Sequence, residues 1–299
     1  MSFTIGKMFH VVHVTESLAP LDAFYDEVFS PVRGMMDGNF SPRDLRDGSL
    51  LGIGDSIMES MAPSDVPGAD TFPVGRFQKR FGRHLHSLAW YCTGVGELWD
   101  AVAAAGIRVV SPTGERPETG DFYTHPKDTL TQLEFYERRE DMPHPVDLRW
   151  EDGWDERWAA SPNPLGIVRM AYQTVVTDDV DRGLRVFVEA LGCEPIHSGS
   201  SPVTGTESVY VAVGPESVVE IAVPTDPASL AAQDFGRFGE SCHAVGWEVR
   251  DLEVAAAHLK ECGVGIVARD DETLVTDPAD TFGAVFRFTT WRVPGDPRD

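Results

Sequence analysis

Two stretches of this chain are copies of one pattern, and a tandem repeat leaves few folds open. FGRHLHSLAWYCTGVGELWDAVAAAGIRVV, from Phe81, and FGESCHAVGWEVRDLEVAAAHLKECGVGIV, from Phe238, follow one order: Phe-Gly, a short gap, His, a strand, an Ala-rich amphipathic helix, Gly and another strand. His86 thus corresponds to His243. DSIMESMAP corresponds to ESVVEIAVP, which pairs Glu59 with Glu220, and HPKDTLTQLEF corresponds to DPADTFGAVFRF near the end of each copy. Matches in the same order at similar offsets mean a tandem duplication. A chain of 299 residues is too long for one typical core and comfortable for two.

Each copy divides again. FHVVHV is an apolar strand. It leads into SLAPLDAFYDEVFS, where Leu21, Phe24, Tyr25 and Val28 keep helical spacing, with Ser17 as N-cap and Pro20 in the first turn. SLLGIGDSIMESMA then reads as strands around a Gly-marked turn. The same order recurs from His86, from Tyr172 and from His243. The expected fold is α+β: four β-α-β-β-β modules in two tandem domains, residues 1–137 and 165–299. The linker between them, 138–164, is rich in Pro, charge and Trp. Trp150, Trp154 and Trp158 at i, i+4 and i+8 predict that part of the linker is a helix packed on the domains.

The charge balance removes whole classes of partner. With 25 Lys and Arg against 48 Asp and Glu, the net charge is −23. Nucleic acid and anionic membrane surfaces both need clustered cations, so neither is expected. No apolar run is long enough to span a bilayer and no secretory signal is legible at the start. Cys92, Cys193, Cys242 and Cys262 lack metal-type spacing and read as reduced packing thiols, which suits a cytoplasmic location. The expected partner is a small-molecule substrate.

Two adjacent modules can form one curved sheet, so that side chains on their first and last strands converge. In the first copy these strands offer His10, Glu59, His86 and Glu134, two imidazoles and two carboxylates that suit a divalent cation. Ser87 competes with His86 for the inward place on that strand, and a β-bulge would bring His86 to the inner face. In the second copy Tyr172 stands where His10 does, Glu220 and His243 remain, and Phe286 or Arg287 takes the place of Glu134. Tyr172, Glu220, His243 and Arg287 make a poor cation site and a candidate ligand pocket. His13, on the face opposite His10, reads as supporting or surface, and His84, His144, His197 and His258 as surface. Trp90 and Trp247 match across the repeat and read as core.

HVVHVTESLAPLDAFYDEVF, HSLAWYCTGVGELWDAVAAAG and THPKDTLTQLEFYE together resemble the vicinal-oxygen-chelate superfamily. That group holds glyoxalase I, methylmalonyl-CoA epimerase, extradiol dioxygenases and the fosfomycin and bleomycin resistance proteins. The HPKDT segment is most like the epimerase. The resemblance implies a glyoxalase-like fold throughout, apart from the linker. It makes His10, Glu59, His86 and Glu134 ligands of one divalent ion, with zinc, nickel, cobalt, manganese and iron all open. Glu134, or else Glu59, would move a substrate proton in isomerase or lyase chemistry. Two other functions stay open: a ring-cleaving dioxygenase with ferrous iron, and a non-catalytic small-molecule binding or resistance protein. The family pairs modules within a chain or between subunits, so a homodimer is also open.

Overall fold

The computed structural model describes residues 3–138 and 146–299; His144 and the rest of 139–145, early in the 138–164 linker, lie outside them. The first half runs β1 (Thr4–Val14), α1 (Leu18–Phe29), β2 (Val32–Ser41), β3 (Arg46–Ile53), β4 (Ser56–Pro63), α2 (Pro73–Phe81), β5 (His84–Thr93), α3 (Val95–Ala104), β6 (Val109–Val110), β7 (Asp121–Thr124), α4 (Pro126–Thr129) and β8 (Gln132–Glu137). After α5 (Trp154–Ala159) the second half repeats the order. It has β9 (Ile167–Val176), α6 (Val180–Leu184), β10 (Glu194–Ser201), β11 (Thr206–Val213), β12 (Ser217–Pro224), α7 (Leu230–Phe238), β13 (Ser241–Val249), α8 (Leu252–Glu261), β14 (Ile266–Arg269), β15 (Thr273–Thr276) and β16 (Val285–Thr289). The strands form two eight-stranded sheets, ordered β2-β3-β4-β1-β5-β8-β7-β6 and β10-β11-β12-β9-β13-β16-β15-β14. Modules therefore pair in sequence order within the chain, joined by antiparallel β1·β5 and β9·β13.

The two sheets share one core. Helix α1 shows why: Leu21, Phe24, Tyr25, Val28 and Phe29 are buried along one stripe, and that stripe reaches the second sheet as well as its own. Phe29 lies against Trp247, Phe286 and Phe288, with ring centroids 5.8, 5.1 and 6.1 Å apart. Trp90 and Trp247 are both fully buried, as expected, and Trp90 donates from Nε1 to Ser217 Oγ of the other half at 2.9 Å. Ser17 holds the N-cap position of α1 but makes no capping hydrogen bond from its side chain.

His13 is a departure from the sequence reading. It is fully buried between the halves, with Nδ1 on the Tyr25 hydroxyl and Nε2 on the Phe282 carbonyl, both at 2.9 Å. Burial lowers its pKa to about 4, against the opposing hydrogen bond to Phe282. An imidazole neutral in the folded chain but protonated near its ordinary 6.5 when unfolded contributes stability that is complete above that value. That stability is lost as the pH falls from 6.5 towards 4. Urea midpoints are expected to drop between about pH 7 and about pH 4.5, and His13→Gln should shrink the drop by roughly 1–3 kcal/mol. An unchanged drop in His13→Gln would show that His13 carries none of it.

The linker packs, but not as one helix. Trp150 ends a short 3₁₀ turn, while Trp154 opens α5 and Trp158 lies within it. Arg149 and Asp147 form a fully buried pair at 2.7 Å. The Arg149 guanidinium also donates to the carbonyls of Met8, Phe9 and Asp55 at 3.1, 3.1 and 2.8 Å. Trp154 donates to the Gly54 carbonyl and fills the space a side chain at Gly52 would need, since a Cβ there would sit 2.5 Å from its ring. With Phe9, Leu50 and Tyr91 it forms a small apolar cluster on the concave face of the first sheet. Thus the linker is a strap over the first cup. No helix among the described residues is long and apolar enough to cross a membrane.

Candidate functional site

The β1·β5 pairing has three register shifts, and two of them shape the inner face of the first cup. One lies between Met8 and Val11 and spans Phe9 and His10; the next lies between Val11 and His13, opposite His86 and Ser87. Parallel pairing sets Glu59 of β4 beside Val12, and Glu134 of β8 beside Ala89. The result gathers His10, Glu59 and Glu134, which are 2, 3 and 4% exposed. His10 Nε2 lies 3.2 Å from Glu59 Oε2 and 3.6 Å from Glu134 Oε2. Neither ring nitrogen of His10 has a hydrogen bond of proper geometry.

The bulge that could bring His86 inward exists, yet His86 does not join the cup. Its Nδ1 is held by Ser87 Oγ at 2.8 Å, and its ring stands edge-on to Phe77 with centroids 4.5 Å apart. It forms no ion pair with either carboxylate among the described residues, although it is close enough to feel Glu134. Burial lowers its pKa to about 4. Ser87, fully buried, takes the inward place and bonds the Glu134 carboxylate.

Glu134 is held by several hydrogen bonds. Gln132 Nε2 donates to Oε1 and Tyr136 Oη to Oε2, both at 2.9 Å. Burial pushes its pKa up, but His10, Ser87 and His86 outweigh that and hold it at about 2.

Sequence reasoning missed Arg46. Its Nη1 lies 3.2 Å from Glu59 Oε1. Gly48 makes this approach possible: a Cβ there would sit 2.6 Å from the same nitrogen. The alternation Arg46, Gly48, Leu50, with Leu50 paired to Glu59, was the available signal.

In the second cup Arg287 occupies the Glu134 place, pairing with Gly246 as Glu134 pairs with Ala89. Arg287 Nη1 meets Glu220 Oε2 at 2.6 Å, with both side chains 1% exposed. Glu220 also accepts from Thr174, Ser208 and Tyr210. Burial opposes its charge, yet Arg287 and the three hydroxyls keep its pKa below the usual range. Tyr172 shares this cup, and Gly246 gives its ring room, since a Cβ there would lie 2.8 Å from it.

His243 belongs elsewhere. The β9·β13 register shift lies at its position, and its Nδ1 pairs with Asp234 Oδ2 at 2.8 Å. His84, read from the sequence as surface, is buried and meets the same carboxylate at 3.0 Å. His258 reaches the Val28 carbonyl at 2.9 Å. The bulged histidines of both copies thus serve contacts outside the cups.

The first cup's donors can be tested against a divalent ion. Ligands at usual zinc bond lengths sit roughly 3–3.5 Å from one another; His10 Nε2 lies within that range of Glu59, at 3.2 Å, and just beyond it from Glu134, at 3.6 Å. A buried imidazole without hydrogen bonds also fits a ligand. Still, the two carboxylates approach His10 singly, and no group of three His, Cys, Asp or Glu among the described residues converges to hold a metal. The donor types fit, as does the His10–Glu59 spacing; convergence of all three requires side chains to turn.

Residues 173–277 match the family model described as the glyoxalase/bleomycin resistance protein/dioxygenase superfamily. A triple mutant of 4-hydroxymandelate synthase from Streptomyces coelicolor is similar over 99% of this chain and 98% of its own, with 12% identity and a TM-score of 0.65. A xylose isomerase-like TIM barrel/4-hydroxyphenylpyruvate dioxygenase fusion protein is similar over 96% of this chain and 49% of its own, with 10% identity and a TM-score of 0.62. Methylmalonyl-CoA epimerase from Mycobacterium tuberculosis covers 42% of this chain and 88% of its own, with 18% identity and a TM-score of 0.38. No curated protein matches the sequence. The chain is a tandem two-domain protein of the vicinal-oxygen-chelate fold, and residues 173–277 of its second half carry the glyoxalase/bleomycin resistance/dioxygenase signature.

Proposed function

We propose that the first cup binds a small oxygen-bearing substrate at a divalent ion held by His10, Glu59 and Glu134, for proton-transfer chemistry of the isomerase or lyase type. The observation that carries this is the His10 imidazole, buried between two carboxylates with neither nitrogen hydrogen bonded. The ion, when bound, supplies Lewis acidity that loosens a C–H proton beside a coordinated oxygen. Proton acceptance is assigned to Glu134, the role the resemblance implies for it, with Glu59 as the second candidate; Arg46 holds Glu59 Oε1 and leaves Oε2 for the ion. Tyr136 and Gln132 orient Glu134, and the strap from Asp147 to Trp154 keeps water from one side of the cup.

A ferrous ring-cleaving site built on His10, His86 and Glu134 draws less support, because His86 is tied to Ser87 and turned to Phe77. One observation favours a second reading, a binding protein without metal: Arg46 already neutralises Glu59.

Metal analysis of untagged protein decides between them. About one divalent ion per chain, lost in His10→Ala and in Glu134→Ala, is the expected result, and Arg46→Met should bind the ion about tenfold more tightly by removing a repelling charge. Wild-type protein that takes up no ion after soaking would sink the metal reading and leave the binding protein.

A further inference from the structure

The second cup has no place for a cation at its floor, yet it remains open. A cavity of about 320 Å³ lies over Glu220 and Arg287. At its floor Arg287 Nη1 pairs with Glu220, whose carboxylate also accepts from Thr174, Ser208 and Tyr210, while the buried Arg287 Nε has no hydrogen-bond partner among the described residues. Among the described residues Arg287 is the one Lys or Arg lining the cavity, against the carboxylates of Glu220, Asp270 and Glu272, so the lining carries more negative than positive charge.

The walls are aromatic. Tyr210 stands 5.6 Å from Tyr172, 5.8 Å from His197 and 5.4 Å from Trp291, centroid to centroid, and His197 lies 5.8 Å from Trp291. None of these rings stacks flat on another: the interplanar angles run from 34° to 79°, and all four residues line the cavity. Two carboxylates, Asp270 and Glu272, stand exposed at the rim in the β14–β15 turn. Asp270 Oδ1 is occupied by the turn's own amides of Glu272 and Thr273, which fixes that side chain beside the opening.

Electron-rich ring faces and uncompensated carboxylates attract the same guest, a weakly hydrated organic cation. We propose that the second cup is a metal-free receptor for a small organic cation, of the quaternary ammonium or alkylated amine class, with Trp291, Tyr210 and His197 as its walls and Asp270 and Glu272 as its counter-charges. Its chemistry is independent of the first cup. One half of the duplication would take an ion and the other an organic cation, the second because Arg287 has filled the inorganic place.

Calorimetric titration of the full chain with phenyltrimethylammonium, benzoate and benzyl alcohol tests this. Saturable binding is expected for phenyltrimethylammonium and none for benzoate or benzyl alcohol. Trp291→Ala and the double variant Asp270→Asn with Glu272→Gln should each weaken it about tenfold, while Glu134→Gln in the other cup leaves it unchanged. Trp291 is only half-buried and the two acids are exposed, so these variants keep the fold, and the rim pair tests the idea without touching any packed ring. Benzoate or benzyl alcohol binding as well as the cation would overturn the proposal, as would wild-type affinity in Trp291→Ala or loss of binding in Glu134→Gln.

Discussion

Arg287→Met is expected to lower folding stability by about 3–5 kcal/mol, the usual penalty for stranding one member of a fully buried ion pair. The size follows from what is left behind. Glu220 would remain ionised under the cup with three hydroxyls donating to it and no positive charge within reach. Adding Glu220→Gln should recover most of the loss, because the amide oxygen still accepts from Ser208 and Tyr210 and no charge is stranded. Urea unfolding of wild type, the single variant and the double variant reads both effects. A single variant within about 1 kcal/mol of wild type would mean that water or another cation reaches Glu220, and that the floor of the second cup is wetter than the geometry describes.

Trp90→Ala should have a comparable effect, about 3–5 kcal/mol. Trp90 is fully buried, stacks on Phe135 at 6.1 Å and donates to Ser217 across the junction. Truncation opens a cavity that neither sheet can close alone, because each sheet's helices are already wedged between them. The loss should appear as one cooperative transition, with probes in either half giving the same midpoint. Two separated transitions, with only the first half weakened, would refute the single shared core.

The sequence made the module count legible, since repeats and period-2 strands are local signals that no tertiary contact can erase. It also made His10, Glu59 and Glu134 legible as a set, because parallel pairing of β4 and β8 on either side of the β1·β5 seam brings the corresponding places together in any copy of this fold. His86 and His243 were misplaced for one reason: a bulge adds a residue to one strand, and whether that residue faces in or out depends on partners far along the chain, here Phe77 and Asp234. Arg46 was missed because a long flexible side chain reaches the cup only through the gap left by Gly48. The linker helix was legible in part: Trp154 and Trp158 lie in α5, while Trp150 ends a separate 3₁₀ turn before it.

The back-to-back arrangement of the two sheets has a consequence for how such a chain can change over generations. Phe24, Tyr25 and Phe29 of the first copy complete the interior of the second, and Phe286, Phe288 and Trp247 complete that of the first. Neither copy can then be discarded, even if one cup falls silent, because the silent copy still furnishes half of the other's interior. A freed cup is a surface on which new recognition can arise under no obligation to preserve the old, provided the helices behind it stay as they are.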